Sequence, residues 1–165
     1  MSESSSLAQR LQVLEDIEAI RVLKARYCAA CDDDHNPETL GTLFAEDAVW
    51  EASSMGRAEG RRAIQEMLGD VGRSGLIKRS AHNVFNPQIE VKGDQATGHW
   101  RLVMLYTANL PDGGVNHQRI IGWYRERYAR IDGRWFFTDL YCEVEESGPY
   151  QMTDNESGNM TENSA

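Results

Sequence analysis

Asp32 and His82 are the two residues whose types suit them to move a proton together. Asp32 lies in Arg26-Tyr27-Cys28-Ala29-Ala30-Cys31-Asp32-Asp33-Asp34, and His82 in Ser80-Ala81-His82-Asn83. A histidine ordinarily titrates near pH 6.5, so an appreciable base form exists at neutral pH. A carboxylate bonded to one ring nitrogen fixes the tautomer and stabilises the imidazolium that forms on proton uptake. The other nitrogen can then take a proton from carbon or from a hydroxyl, and general base catalysis of this kind contributes about 10²–10⁴-fold. Tyr27, about one and a half helical turns before Asp32, can donate to a departing hydroxyl or a carbonyl oxygen. Asp33 or Asp34 can stand in for Asp32 after a slip of one or two residues at the helix end.

Plainer readings accompany each of these. Asp is a common helix terminator, His82 can be an interior or interface histidine, and a tyrosine on a helix face is usually core. His99 and His117 carry no partner signal and read as structural, and His35, in the Asp-rich loop, reads as solvated. The three consecutive Asp lack the glycine and distant Glu of a calcium loop. Cys28 and Cys31 form a C-x-x-C near a helix C-terminus, where the dipole opposes a thiolate. No second ligand pair accompanies them, so they read as packing residues, and neither metal nor cofactor is expected.

The elements that must position these groups follow from periodicity. Residues 7–31 predict one amphipathic helix, with Leu7, Leu11, Leu14, Ile17, Ile20, Leu23 and Tyr27 as the apolar stripe. Glu15, Asp16, Glu18, Arg21, Lys24 and Arg26 fall between them as the solvent side, and Ser6 is the predicted N-cap. Pro37 opens a short helix carrying Leu40, Leu43 and Phe44. A short strand over 48–52, a loop through Gly56 and Gly60, and a helix over about 61–70 come next.

Four long strands close the pattern. The first, 79–91, is interrupted near Pro87, which predicts a bulge or an edge. The others span 95–109, 117–131 and 134–144, joined by Lys92-Gly93-Asp94, Pro111-Asp112-Gly113-Gly114 and Asp132-Gly133 turns. Gly98 and Gly122, both mid-strand, fit the sharp bends of a strongly curved sheet. The order is α+β, a curved sheet wrapped around a long helix to form a cone with one open mouth. Alternation puts Trp100, Leu102, Met104 and Tyr106 on one strand face. Trp50, Tyr106 and Tyr141 are candidate aromatic walls for a substrate, and Arg79 or Arg119 a candidate partner for an oxyanion. Such aromatics suit a flat, ring-bearing small molecule.

The chain has 165 residues, 41% of them apolar, enough for one domain with a real core. The expected layout is a disordered segment over 1–6, a domain over 7–146 and an acidic, disordered tail over 147–165. The formal charge of −9 is concentrated at the C-terminal end, where six acidic residues and no Lys or Arg follow from Glu143 onward. Nothing resembles the basic footprint that neutralises phosphates, so nucleic acid is excluded as a partner. No apolar run is long enough for a bilayer, and the N-terminus lacks a signal-peptide pattern, which predicts a cytoplasmic protein with no membrane partner.

Together the motifs resemble the SnoaL-like branch of the NTF2-like superfamily. Ile20-Arg21-x-Leu23-x-x-Arg26-Tyr27, then Asp32, then Leu43-Phe44-Ala45-x-Asp47-Ala48-x-Trp50 looks like its opening, and Gly60-Arg61-x-Ala63-Ile64 like its third-helix start. Tyr124-x-Glu126-x-Tyr128-x-Arg130-x-Asp132-Gly133-x-Trp135-x-Phe137 looks like its closing hairpin. The resemblance implies a cone-shaped α+β barrel, often a homodimer or homotrimer, with a pocket between the sheet and the first helix. Scytalone dehydratase, bile acid 7α-dehydratase, hexachlorocyclohexane dehydrochlorinase, ketosteroid isomerase and polyketide cyclases share it, and some members are not enzymes. The dehydratase and dehydrochlorinase members place an Asp and a His where this chain has Asp32 and His82. The tyrosine of bile acid 7α-dehydratase matches Tyr27.

The leading expectation is therefore a cofactor-independent lyase acting on an aromatic or polycyclic small molecule. It eliminates water, halide or a small carbonyl fragment, with His82 as base, Asp32 orienting it and Tyr27 polarising or protonating. An isomerase or cyclase, a non-catalytic binding module, and the small subunit of a ring-hydroxylating dioxygenase are the other expectations.

Overall fold

Ser6 starts the first helix with both halves of a capping box. Its hydroxyl accepts from the Gln9 N–H at 3.2 Å while the Gln9 side chain accepts from the Ser6 N–H at 2.7 Å. The computed structural model describes residues 6–151. Within them, α1 spans Leu7–Asp32, α2 Pro37–Gly41, β1 Phe44–Ala52, β2 Gly56–Glu59 and α3 Arg61–Arg73. Four long strands follow, β3 Ile77–Lys92, β4 Gln95–Asn109, β5 Val115–Ile131 and β6 Arg134–Pro149. The segment expected as a loop through Gly56 forms the edge strand β2, because Trp50 and Ala52 of β1 give it a partner at Ala58 and Gly56. β6 runs to Pro149, three residues past the expected domain end, by pairing with β5 as far as Gln118. The expected tail from residue 152 on, and the expected N-terminal segment up to residue 5, lie outside the described residues.

One six-stranded sheet holds the order β2-β1-β6-β5-β4-β3. Every pairing is antiparallel except β1 with β6, which is parallel, so the sheet is mixed and unclosed with β2 and β3 at its edges. Curvature has identifiable causes. The β5–β6 register shifts at Ile121/Gly122, and a Cβ on Gly122 would run into the Glu143 carbonyl oxygen. On β3 the register slips between Phe85 and Gln88, across Asn86 and Pro87, and Asn86 takes a positive φ of 52°. The predicted break near Pro87 is thus both a bulge and an edge.

Alpha1 lies against the concave face, and only its second half is covered. Ile20, Leu23, Tyr27 and Cys31 are buried, whereas Leu7, Leu11 and Leu14 are 79%, 53% and 63% exposed. Spacing marked those leucines as a stripe, but spacing cannot say whether anything lies opposite. The solvent side also needs correcting: Lys24 and Asp16 are buried. Asp16 accepts from Arg130 Nη1 at 2.8 Å and from Trp135 Nε1 at 3.0 Å. Lys24 Nζ lies 2.5 Å from Glu126 and 3.2 Å above the centre of the Tyr124 ring. The Tyr128 hydroxyl donates to the same carboxylate, and Trp100 Nε1 donates to that hydroxyl at 3.1 Å. Buried charges persist when paired in this way. No helix among the described residues is long and apolar enough to cross a membrane.

Candidate active site

The end of α1 meets the start of β3, and that junction builds the Asp–His pair. Alternation along β3 puts Ser80 and His82 on one face, where their β4 partners are Tyr106 and Met104. Asp32, the last residue of α1, faces both. Its Oδ1 accepts from the Ser80 hydroxyl at 2.7 Å and lies 2.6 Å from His82 Nδ1. Its Oδ2 accepts from the His82 backbone N–H at 2.9 Å. Partial burial alone would raise this carboxyl, but the bonds from the His82 ring, the His82 backbone and Ser80 outweigh it and hold Asp32 below its ordinary value. An ionised carboxylate only accepts, so Nδ1 carries a proton, and in the neutral ring Nε2 keeps its lone pair.

That nitrogen belongs to a ring lining a cavity of about 600 Å³ between α1, α3 and the concave sheet, a size typical of small-molecule sites. Asp32 sits behind His82, in a small cleft shared with Ser80 and Arg79. Leu102, Met104, Ile120 and Val144 make the sheet wall largely apolar, and half-exposed Met55 and Leu76 form part of the rim. Tyr27 reaches the cavity from α1. Trp50 Nε1 donates to the Tyr27 oxygen at 3.0 Å, so the hydroxyl acts as a donor in its own right, with the Cys31 sulfur as its neighbour in the fold. Burial, then the neighbouring Cys31, push the Tyr27 hydroxyl well above its ordinary value, and it is a neutral donor.

A model of the SnoaL-like domain matches residues 12–141, most of the chain. The chain belongs to the SnoaL-like family. Among solved structures, this SnoaL-like domain is similar to an NTF2-like protein with a cystatin-like fold from Novosphingobium aromaticivorans, at 27% identity and TM-score 0.71, over 88% of this chain and 92% of that one. It is also similar to a hexachlorocyclohexane dehydrochlorinase from Novosphingobium barchaimii LL02, at 23% identity and TM-score 0.75, over 87% of this chain and 96% of that one. A candidate scytalone dehydratase from Novosphingobium aromaticivorans aligns at 22% identity and TM-score 0.74, over 85% and 91% of the two chains. The last two likenesses show the fold.

Measured against this frame, the expected site residues of the SnoaL-like domain divide cleanly. Asp32, rather than Asp33 or Asp34, pairs with His82, since Asp33 caps α1 and bonds Asn36 at 2.9 Å. Tyr27, Trp50 and Tyr106 line the cavity with His82. Arg79 does not line it: its Nε donates to Thr107 at 3.3 Å, beside the cleft that holds Asp32. Arg119 faces outward toward Glu146, at 3.8 Å. Tyr141 is also outside, with its hydroxyl on Glu143 and its ring 5.7 Å from Trp123. On β6 the inward residues are Leu140 and Cys142, so Tyr141 has the wrong parity. Cys31 and Cys142 also line the cavity, and burial raises both thiols, Cys142 to about 11.

The residue the sequence hid is His35. Far from being solvated, it is only 7% exposed and lines the cavity beside His82, with ring centres 6.3 Å apart and planes at 79°. Asp34 and His35 both take positive φ, 50° and 52°, as the chain turns back after α1. Gly72 of α3 lets that turn approach, because a Cβ there would overlap the Asp34 carbonyl oxygen. Burial, then the charge of His82, lower His35 to about 4. Its only sequence signal was position, three residues past Asp32 and two before a proline.

Proposed function

We propose that this chain is a cofactor-independent lyase acting on an aromatic or polycyclic small molecule. It eliminates water, halide or a small carbonyl fragment. The observation that carries this reading is the Asp32–His82 pair, whose ring lines an open-mouthed, largely apolar cavity. In the water or halide case, His82 Nε2 takes a proton from carbon and the C–H electron pair becomes the new C=C bond. The leaving group departs with its own bonding pair, and Asp32 stabilises the imidazolium. Tyr27 donates to the departing or carbonyl oxygen, and Trp50 holds that hydroxyl in place. Trp50 and Tyr106 supply flat walls for a ring system. The acid–base groups for such a step all come from the chain itself. We also infer assembly as a homodimer or homotrimer, for which the exposed leucines of α1 offer apolar surface; light scattering on the purified chain decides this.

Purified protein incubated with a panel of hydroxylated and halogenated polycyclic compounds, read by mass spectrometry, tests the reading. Loss of water, hydrogen halide or an aldehyde supports it, and an unchanged product mass points to an isomerase. His82→Ala should lower the rate by about 10²–10⁴-fold with fold and ligand binding kept. A His82→Ala variant that turns over at near the parent rate, or a wild-type chain that binds but never converts, overturns it.

A further inference from the structure

We propose that His35 holds an oxygen function of the substrate, a hydroxyl or a carbonyl, next to the carbon from which His82 takes its proton. The reacting carbon in that statement rests on the lyase reading; the contact is one of binding and can be measured without turnover. It narrows the substrate to an oxygenated ring compound.

Three observations carry it. First, the His35 ring is buried and lines the same cavity as His82, close enough that both rings can face one substrate ring. Second, neither His35 ring nitrogen has a hydrogen-bond partner among the described residues, although the residue is buried. No buried side-chain nitrogen or oxygen among these residues is both sealed from solvent and unpaired. Both nitrogens therefore open onto accessible space rather than onto protein. Water can bond them in the open cavity, but a ligand that fills the cavity must replace those bonds or leave the nitrogens unpaired at a cost. Third, the placement is enforced: His35 sits in the left-handed backbone region, sparsely used by residues other than glycine, and α3 is packed against the turn through Gly72.

Chemistry selects the ligand. At neutral pH the His35 imidazole is uncharged, with one N–H donor and one lone-pair acceptor. A hydroxyl both gives and takes a hydrogen bond, and a carbonyl takes one. A carbon-bound halogen offers no donor and accepts weakly. A site with a hydrogen bond to fill discriminates against the analogue that cannot fill it.

The test uses a matched pair of probes, 1-naphthol and 1-chloronaphthalene, titrated into wild type and His35→Asn. Asparagine also tolerates the left-handed backbone, so the turn is kept. The variant should bind 1-naphthol about five- to tenfold more weakly, the value of one ordinary hydrogen bond, with 1-chloronaphthalene changed little. In wild type, saturating 1-naphthol should move the ¹⁵N resonances of the His35 ring, a readout that needs no variant. Equal losses for both probes, silent His35 nitrogens at saturation, or no binding of 1-naphthol would each overturn the assignment. Loss of turnover in His82→Ala bears on the lyase reading alone, so the two can fail separately.

Discussion

Replacing Asp32 by asparagine keeps the side chain's shape and removes its charge, and the geometry leaves the amide no good orientation. If its oxygen takes the Oδ1 place, the bonds to Ser80 and His82 Nδ1 survive. The amide nitrogen then confronts the His82 backbone N–H, now 2.9 Å from an oxygen. If the amide flips, its NH₂ faces Nδ1 across 2.6 Å and forces that nitrogen to accept. The proton then moves to Nε2, which can no longer act as a base. Loss of a charge-assisted bond at this half-buried carboxylate should lower stability by about 1.5–3 kcal/mol. The catalytic effect should be about 10²–10⁴-fold in kcat, or roughly 3–5 kcal/mol in the barrier, with KM little changed. Steady-state kinetics on the substrate found by screening, urea melts, and ¹⁵N shifts of the His82 ring give three independent readouts. An Asp32→Asn variant with a kcat within about threefold of wild type and an unaltered His82 tautomer would refute the orienting role.

Other expectations follow from neighbouring features. Lys24→Met leaves Glu126 buried without its partner and should cost about 3–5 kcal/mol in urea melts. The double variant Lys24→Met/Glu126→Leu should recover most of it, and a double variant as unstable as the single one counts against that explanation. His35 is lowered from 6.5 to about 4, so the unfolded chain takes up a proton across that interval that the folded chain refuses. Stability is therefore full above pH 6.5 and should fall by roughly 3 kcal/mol as the pH drops to about 4. Asp32 acts in the same sense and lower down: its lowered carboxyl stabilises the fold above the ordinary carboxylate range, and that contribution fades as pH falls through its folded value. His35→Asn should flatten the melt series between pH 6.5 and 4, and an unchanged slope would contradict the burial assigned to it. Arg119→Ala and Tyr141→Phe, both outside the cavity, should keep kcat/KM within about twofold of wild type.

Much of the site was readable from the order of elements. Asp32 terminates α1 and His82 lies in the first half of β3, and that order brings the two together across fifty residues. Period-two alternation placed Trp100, Leu102 and Met104 inward, where they are buried. The same rule did not rescue Tyr141, because the extra β6 residue at the Arg127/Tyr128 register shift resets its parity, whereas Arg119 falls on the outward parity of β5 without any bulge. Lys24 was misjudged for a different reason. A lysine between apolar residues reads as a solvated face, and only Glu126, more than a hundred residues away, reveals that it is buried. His35 was lost for the same kind of reason: the glycine that lets α3 close over its turn lies far along the chain.

The Asp32–His82 pair and the walls around it stand on different supports. Asp32 and His82 are fixed where α1 meets β3, whereas much of the opening is shaped by α3 and by Met55 in the turn between β1 and β2. Substitutions on those outer pieces can reshape which molecule is admitted while the pair itself stays undisturbed. On the proposed lyase reading, selectivity and reactivity are in that sense separately adjustable, which makes this scaffold a practical starting point for retargeting one reaction to new compounds.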